Sequence, residues 1–285
     1  MLKQRFSPQA KWVLFSGFIL GLITPLSLAT AEDNTTSAQQ ASVAAGFDHS
    51  YKVWTEILQN FVVVKGPASQ VKYLELKKGR KVLDDFLSQL SNVTESEFKA
   101  WKKEQQLAFL INAYNGFTLQ HIVNNYPVAS IRKIGGFFTN PWRVEFFGLL
   151  GKKRHLDWIE HGTIRKNYQE PRIHFALNCA SVGCPALRQE AFTGDQLTDQ
   201  LEEQAKLFLR DTTRNRIDEK EGKVFLSKIF DTEPWFAEDF TKKAGSVAAF
   251  VAPYMTDDPA MQEKIKGGEL KLDFLKYDWG LNEIK

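Results

Sequence analysis

Apolar positions recur at helical spacing along much of the chain. Between residues 47 and 64, Tyr51, Trp54, Leu58 and Phe61 fall on one face of a helix, and a second amphipathic stretch carries Tyr73, Leu76, Val82, Phe86 and Leu90. Ser96, Phe98 and Trp101 open a third. From residue 104 to 125 the pattern changes, because Leu107, Phe109, Leu110, Ile111, Tyr114, Phe117, Leu119, Ile122 and Val123 cover nearly the whole circumference. That predicts a central helix buried on every side. Tyr126 ends it, since a residue before proline is pushed out of the helical region.

Shorter periods follow. Residues 142–149 and 154–156 flank Gly151, Lys152 and Lys153, the pattern of a hairpin. Residues 157–166 read as a short helix capped by Asp157. Residues 172–178 alternate like a strand, which would place His174, Ala176 and Asn178 on one face. A helix over 193–211, a strand over 224–229, helices over 235–240 and 247–254 and a closing strand over 270–279 complete the reading. Phe137, Phe138, Trp142, Phe146 and Phe147 are expected in the core. The fold class is α+β: a helix-rich single domain over residues 46–285 around a small antiparallel sheet.

The N-terminus departs from this pattern. Lys3, Arg5 and Lys11 precede an apolar run over residues 12–28 that closes on Ala29, Thr30 and Ala31. This is the anatomy of a signal peptide over residues 1–31, followed by a small, polar, flexible leader over 32–45. A periplasmic or secreted location follows as an expectation, with no membrane anchorage once the segment is removed. The whole chain carries +3, and those three basic residues supply all of it. The remainder is neutral, with both signs interspersed, so nucleic acid is excluded as an expected partner.

Two cysteines are too few for a disulfide scaffold, so Cys179 and Cys184 are free for another purpose. Gly183 permits a sharp turn and Pro185 suits a first helical position, which would leave Cys184 at an N-cap, where the helix dipole favours thiolate. The alternatives are two small buried residues or a disulfide closing a short loop. Glu160 and His161, with Arg165 a turn later, form a second polar cluster able to supply an acid–base pair. Asn112 and Asn115 sit on one face of the central helix and need partners there. They either bond a loop backbone or orient a histidine as in papain-like sites.

Taken together, the segments Ile111-Asn-Ala-Tyr-Asn115, Ile159-Glu-His161 and His174-Phe-Ala-Leu-Asn-Cys-Ala-Ser-Val-Gly-Cys-Pro185 resemble the family catalogued as domain of unknown function 547. The likeness is clearest over residues 98–210 and extends to Val224-Phe-Leu-Ser-Lys-Ile-Phe230 and Tyr277-Asp-Trp-Gly-Leu-Asn282. It implies a shared fold and motif and brings no activity with it. The leading functional expectation is a cysteine-dependent hydrolase or acyl transferase acting on peptide or amide bonds in the cell envelope, with a papain-like site layout. Cys184 or Cys179 is then the nucleophile, His174 or His161 the base, and Asn112, Asn178 or Glu160 the orienting group. No cofactor is called for, and the oligomeric state stays open. Three other readings stand beside it: a disulfide between Cys179 and Cys184, a zinc site of His174, Cys179 and Cys184, and a non-catalytic binding module.

Overall fold

The helical periodicities become a layered bundle at the start of the domain. Trp54, Ile57 and Leu58 are buried on α1 (Lys52–Phe61), and Leu83, Phe86, Leu87 and Leu90 on α3 (Lys81–Asn92). Between them lie a hairpin of β1 (Val62–Lys65) and β2 (Ala68–Val71) and the short α2 (Tyr73–Lys78). The protein is described by a computed structural model over residues 46–136, 139–232 and 234–284. The expected signal peptide and leader, and the pair Phe137 and Phe138, lie outside the described residues.

Two differences from the expected elements have local causes. Val62, Val63 and Val64 are β-branched and precede Gly66, whose φ of 57° turns the chain, so the first helix stops early and a hairpin replaces its end. The second amphipathic stretch is broken at Gly79 and Arg80 into α2 and α3.

After α4 (Glu95–Ala100) comes α5 (Lys103–Asn125), 23 residues of which 17 are buried. Gly116 lets α3 approach it closely, since a Cβ there would stand 2.9 Å from Leu87 Cδ2. The expected hairpin is present as β3 (Phe147–Leu149) paired antiparallel with β4 (Lys152–Arg154). Its turn places Leu150 and Gly151 both at positive φ, as the twist of a two-residue hairpin turn demands.

The second half builds its own apolar cluster. It comprises α6 (Leu197–Leu209), β5 (Arg216–Asp218), β6 (Lys223–Ser227), α7 (Ala237–Ala244), α8 (Val247–Met255), α9 (Pro259–Lys266) and β7 (Lys271–Leu275). Phe175, Phe208, Phe230, Phe240 and Phe250 fill it. The three-stranded sheet has the order β5-β6-β7, with β5 antiparallel and β7 parallel to β6, so this sheet is mixed and the two hairpins supply the fully antiparallel pairs. Residues 47–285 form one compact helix-rich α+β unit. Among the described residues, no helix is long and apolar enough to cross a membrane.

Candidate functional site

Residues 172–178 do not form the expected strand. Glu170 and Pro171 start a 3-10 turn over Pro171–Phe175: the proline has φ set for a helical start, and the Glu170 carboxylate accepts from Arg172 N–H at 3.1 Å. His174 is therefore buried by a turn of helix, and it does not share a strand face with Asn178.

The chain that follows is held by side-chain amides. Asn115 on α5 donates to Ala176 O and accepts from Asn178 N–H, both at 2.9 Å. Asn178 donates to Pro185 O at 2.8 Å and accepts from Ala180 N–H at 2.9 Å. Asn112 does the same for another loop, donating to Phe192 O at 2.7 Å and accepting from its N–H at 3.0 Å. Each of these amides is spent on backbone, so Asn112 and Asn178 are not placed to orient an imidazole.

The loop so held carries the sulfurs, and they are bonded to each other: Cys179 and Cys184 form a disulfide, with Cα atoms 6.3 Å apart. This overturns the expected thiol nucleophile at either position, and with it the cysteine hydrolase, the acyl transferase and the papain-like layout. Nor does Cys184 cap a helix, because the chain is irregular from Pro185 to the start of α6. The zinc reading falls as well: among the described residues, no three His, Cys, Asp or Glu side chains are grouped to hold a metal ion. Gly183 brings the loop against the residues after β7, where a Cβ would stand 2.9 Å from Tyr277 Cζ. The Tyr277 hydroxyl lies 3.2 Å from each sulfur and 2.9 Å from Ser181 Oγ.

Glu160 and His161 sit on a wider helix than expected. Residues Trp158–Ile164 wind as a π-helix, Asp157 makes no side-chain cap, and Arg165 N–H bonds the Glu160 carbonyl five residues back. That bond brings residue 165 nearly above residue 160. In an α-helix, five steps of about 100° would leave them roughly 140° apart. Glu160 and Arg165 thus reach the same place from one short segment.

A chain of charged and polar groups results. His174 Nε2 lies 2.8 Å from Asp239 Oδ2, and the Arg165 guanidinium grips the Asp239 carboxylate at 2.6 and 3.0 Å. Arg165 also donates to His161 Nδ1 at 2.8 Å. On the other side, His174 Nδ1 stands 4.0 Å from Glu160 Oε1 and has no hydrogen-bond partner. Phe236 stacks on the imidazole with ring centroids 3.8 Å apart.

Burial drives the His174 pKa down against the pull of Asp239 and Glu160, so the ring is neutral. Burial alone would raise the Asp239 carboxyl, but its bonds to His174 and Arg165 outweigh that and hold it well below the usual range. Tyr114 on α5, buried and next to Glu160, has its hydroxyl pKa pushed far up, by burial first and by the carboxylate second.

All of these groups except Asp239 line a cleft of about 990 Å³. Its floor holds Glu160, His174, Tyr114 and the disulfide; Trp142, Trp235, Phe236, Tyr277 and Trp279 wall it, and Arg132, Lys133 and Arg143 stand at its edge. Of the site residues expected from sequence, Cys179, Cys184, His174, His161 and Glu160 meet here, whereas Asn112 and Asn178 lie behind it. Asp239 left no local signal, being 65 residues from His174. Tyr277 and Trp279 read in sequence as a packed closing segment, yet both face the cleft.

Fold and site together define a class: a helix-rich α+β domain with an aromatic-walled cleft braced by a disulfide. Residues 98–209 match the family model described as "Protein of unknown function, DUF547", so the chain carries a DUF547 domain. The matched stretch holds α5, the π-helix, the 3-10 turn and the disulfide, while Asp239 and the walls at Trp235, Tyr277 and Trp279 lie beyond it. No curated protein and no solved structure matches the chain.

Proposed function

We propose that this protein is a non-catalytic binding module acting outside the cytoplasm, with the cleft as its ligand site and the disulfide as a structural brace for its floor. The observation that carries this reading is the bond between Cys179 and Cys184 in the floor of a cleft walled by five aromatic side chains. A sulfur so bonded offers no thiolate, while the aromatic walls offer area on which a small ligand packs. Export is supported by two independent features. The basic and apolar pattern over residues 1–31 is that of a signal peptide, and a disulfide persists in oxidising compartments.

The reading is tested by counting thiols in the denatured full chain and by screening small molecules against its tryptophan fluorescence. No reactive thiol before reductant and two after it are expected, together with ligand-induced changes that Trp235→Ala diminishes. Two thiols in protein purified from the oxidising compartment would overturn the brace. A cleft whose fluorescence responds to no member of the screen would overturn the binding module.

A further inference from the structure

Two acceptors face each other on the cleft floor. Asp239 accepts from Nε2 of His174 at 2.8 Å, which fixes the ring proton there and leaves a lone pair on Nδ1. Nδ1 is buried, has no partner, and looks across 4.0 Å at the Glu160 carboxylate, which can only accept. Two acceptors at that spacing repel unless a group with at least two donor hydrogens lies between them. A nitrogen about 2.8 Å from each would see them at an angle of about 90°, close to what a tetrahedral donor offers.

The charge on the floor narrows the choice. Arg165, the nearest cation, is gripped by Asp239, and Asp157 is paired with Arg143 at 3.5 Å. Glu160 has no ion-pair partner among the described residues except the neutral His174 ring. A cationic donor answers both the geometry and the charge; a neutral hydroxyl has one hydrogen and no charge. Above the floor, Trp142, Trp235 and Trp279 line the cleft and offer apolar area to whatever carries that donor.

We infer that the cleft binds a primary amine, seating its ammonium between Glu160 and His174 Nδ1 and packing its apolar or planar body on the tryptophans. This rests on the cleft being a ligand site. The seat differs from an aromatic cage for quaternary ammonium, because its selectivity comes from N–H donation as well as from charge.

The test uses the full chain and four probes: benzylamine, benzyltrimethylammonium, benzyl alcohol and benzoate, titrated by NMR and tryptophan fluorescence. Benzylamine is expected to bind about tenfold or more tighter than benzyl alcohol and than benzyltrimethylammonium, the value of one charge-assisted hydrogen bond. Glu160→Gln is expected to bring the benzylamine to benzyl alcohol ratio close to one. His174→Gln, which puts an amide in place of the lone pair, is a second variant if the first fails to fold. Equal binding of benzylamine and benzyltrimethylammonium, or a ratio unmoved by Glu160→Gln, would overturn the amine seat while leaving the ligand site intact. Failure of all four probes to perturb the cleft would overturn both.

Discussion

Asp239 bonds Arg165 and His174 at once, and removing its charge leaves a partly buried guanidinium without its anion. Asp239→Asn is therefore expected to cost about 2 kcal/mol of stability at neutral pH. The pH dependence follows from the direction of its shift. The folded pKa lies below the unfolded value of about 3.9, so the stabilisation is fully present above that value and is lost as pH falls through the lower, folded one. Urea denaturation of the two proteins should show a gap that is constant from pH 7 to about pH 5 and closes on further acidification. A gap that stays the same down to pH 2 would mean the carboxylate contributes through packing alone.

At the scale of elements, the loop from Cys179 to Cys184 owes its shape to four separate constraints: the disulfide, Asn178, the left-handed Ala180 and the close approach at Gly183. Replacing both cysteines by alanine removes one constraint and leaves three, so the domain is expected to fold. The loss is about 2 kcal/mol on the chain-entropy account of so short a loop. Thermal unfolding of the double variant beside the wild type, both without reductant, measures it.

Legibility in the sequence varied with the range of the interaction that decides each element. The central helix is plain, because apolar side chains around nearly its whole circumference write their own period. The segment around His174 reads as a strand, because the seven alternating residues 172–178 fit a strand as well as a 3-10 turn, and the Glu170–Pro171 start decides between them. The hairpin at residues 62–71 is hidden for a related reason: three valines continue an apolar helix pattern until the glycine interrupts it.

Over the whole molecule, residues 277–284 tie the two halves together. Val182 N–H bonds Gly280 O at 2.8 Å, Gly183 N–H bonds Asp278 O at 2.9 Å, and Asn282 receives Val71 N–H and the Tyr73 hydroxyl while donating to Ala180 O. Tyr73 is wholly buried, so Asn282→Ala strands its hydroxyl. A loss of about 2 kcal/mol is expected, with faster amide exchange at both β2 and the disulfide loop. Exchange confined to one of them would show that the halves are not coupled through this segment. The site follows the same logic. Glu160, His161, His174 and the cysteines stood out because they lie within 25 positions, whereas Asp239 and the tryptophan walls come from segments that only folding brings near.

The π-helix sets stability against recognition. A stretch of helix wound with more residues per turn than an α-helix is looser than its neighbours, and rewinding the same residues as regular α-helix would be the simplest way for the segment to tighten. Doing so would swing Arg165 a third of a turn or more away from Glu160, releasing Asp239 and with it the tilt of the imidazole. A lineage drifting toward a sturdier domain along that route would keep its core, its bridge and its aromatic walls, and would lose the place where those walls close on anything.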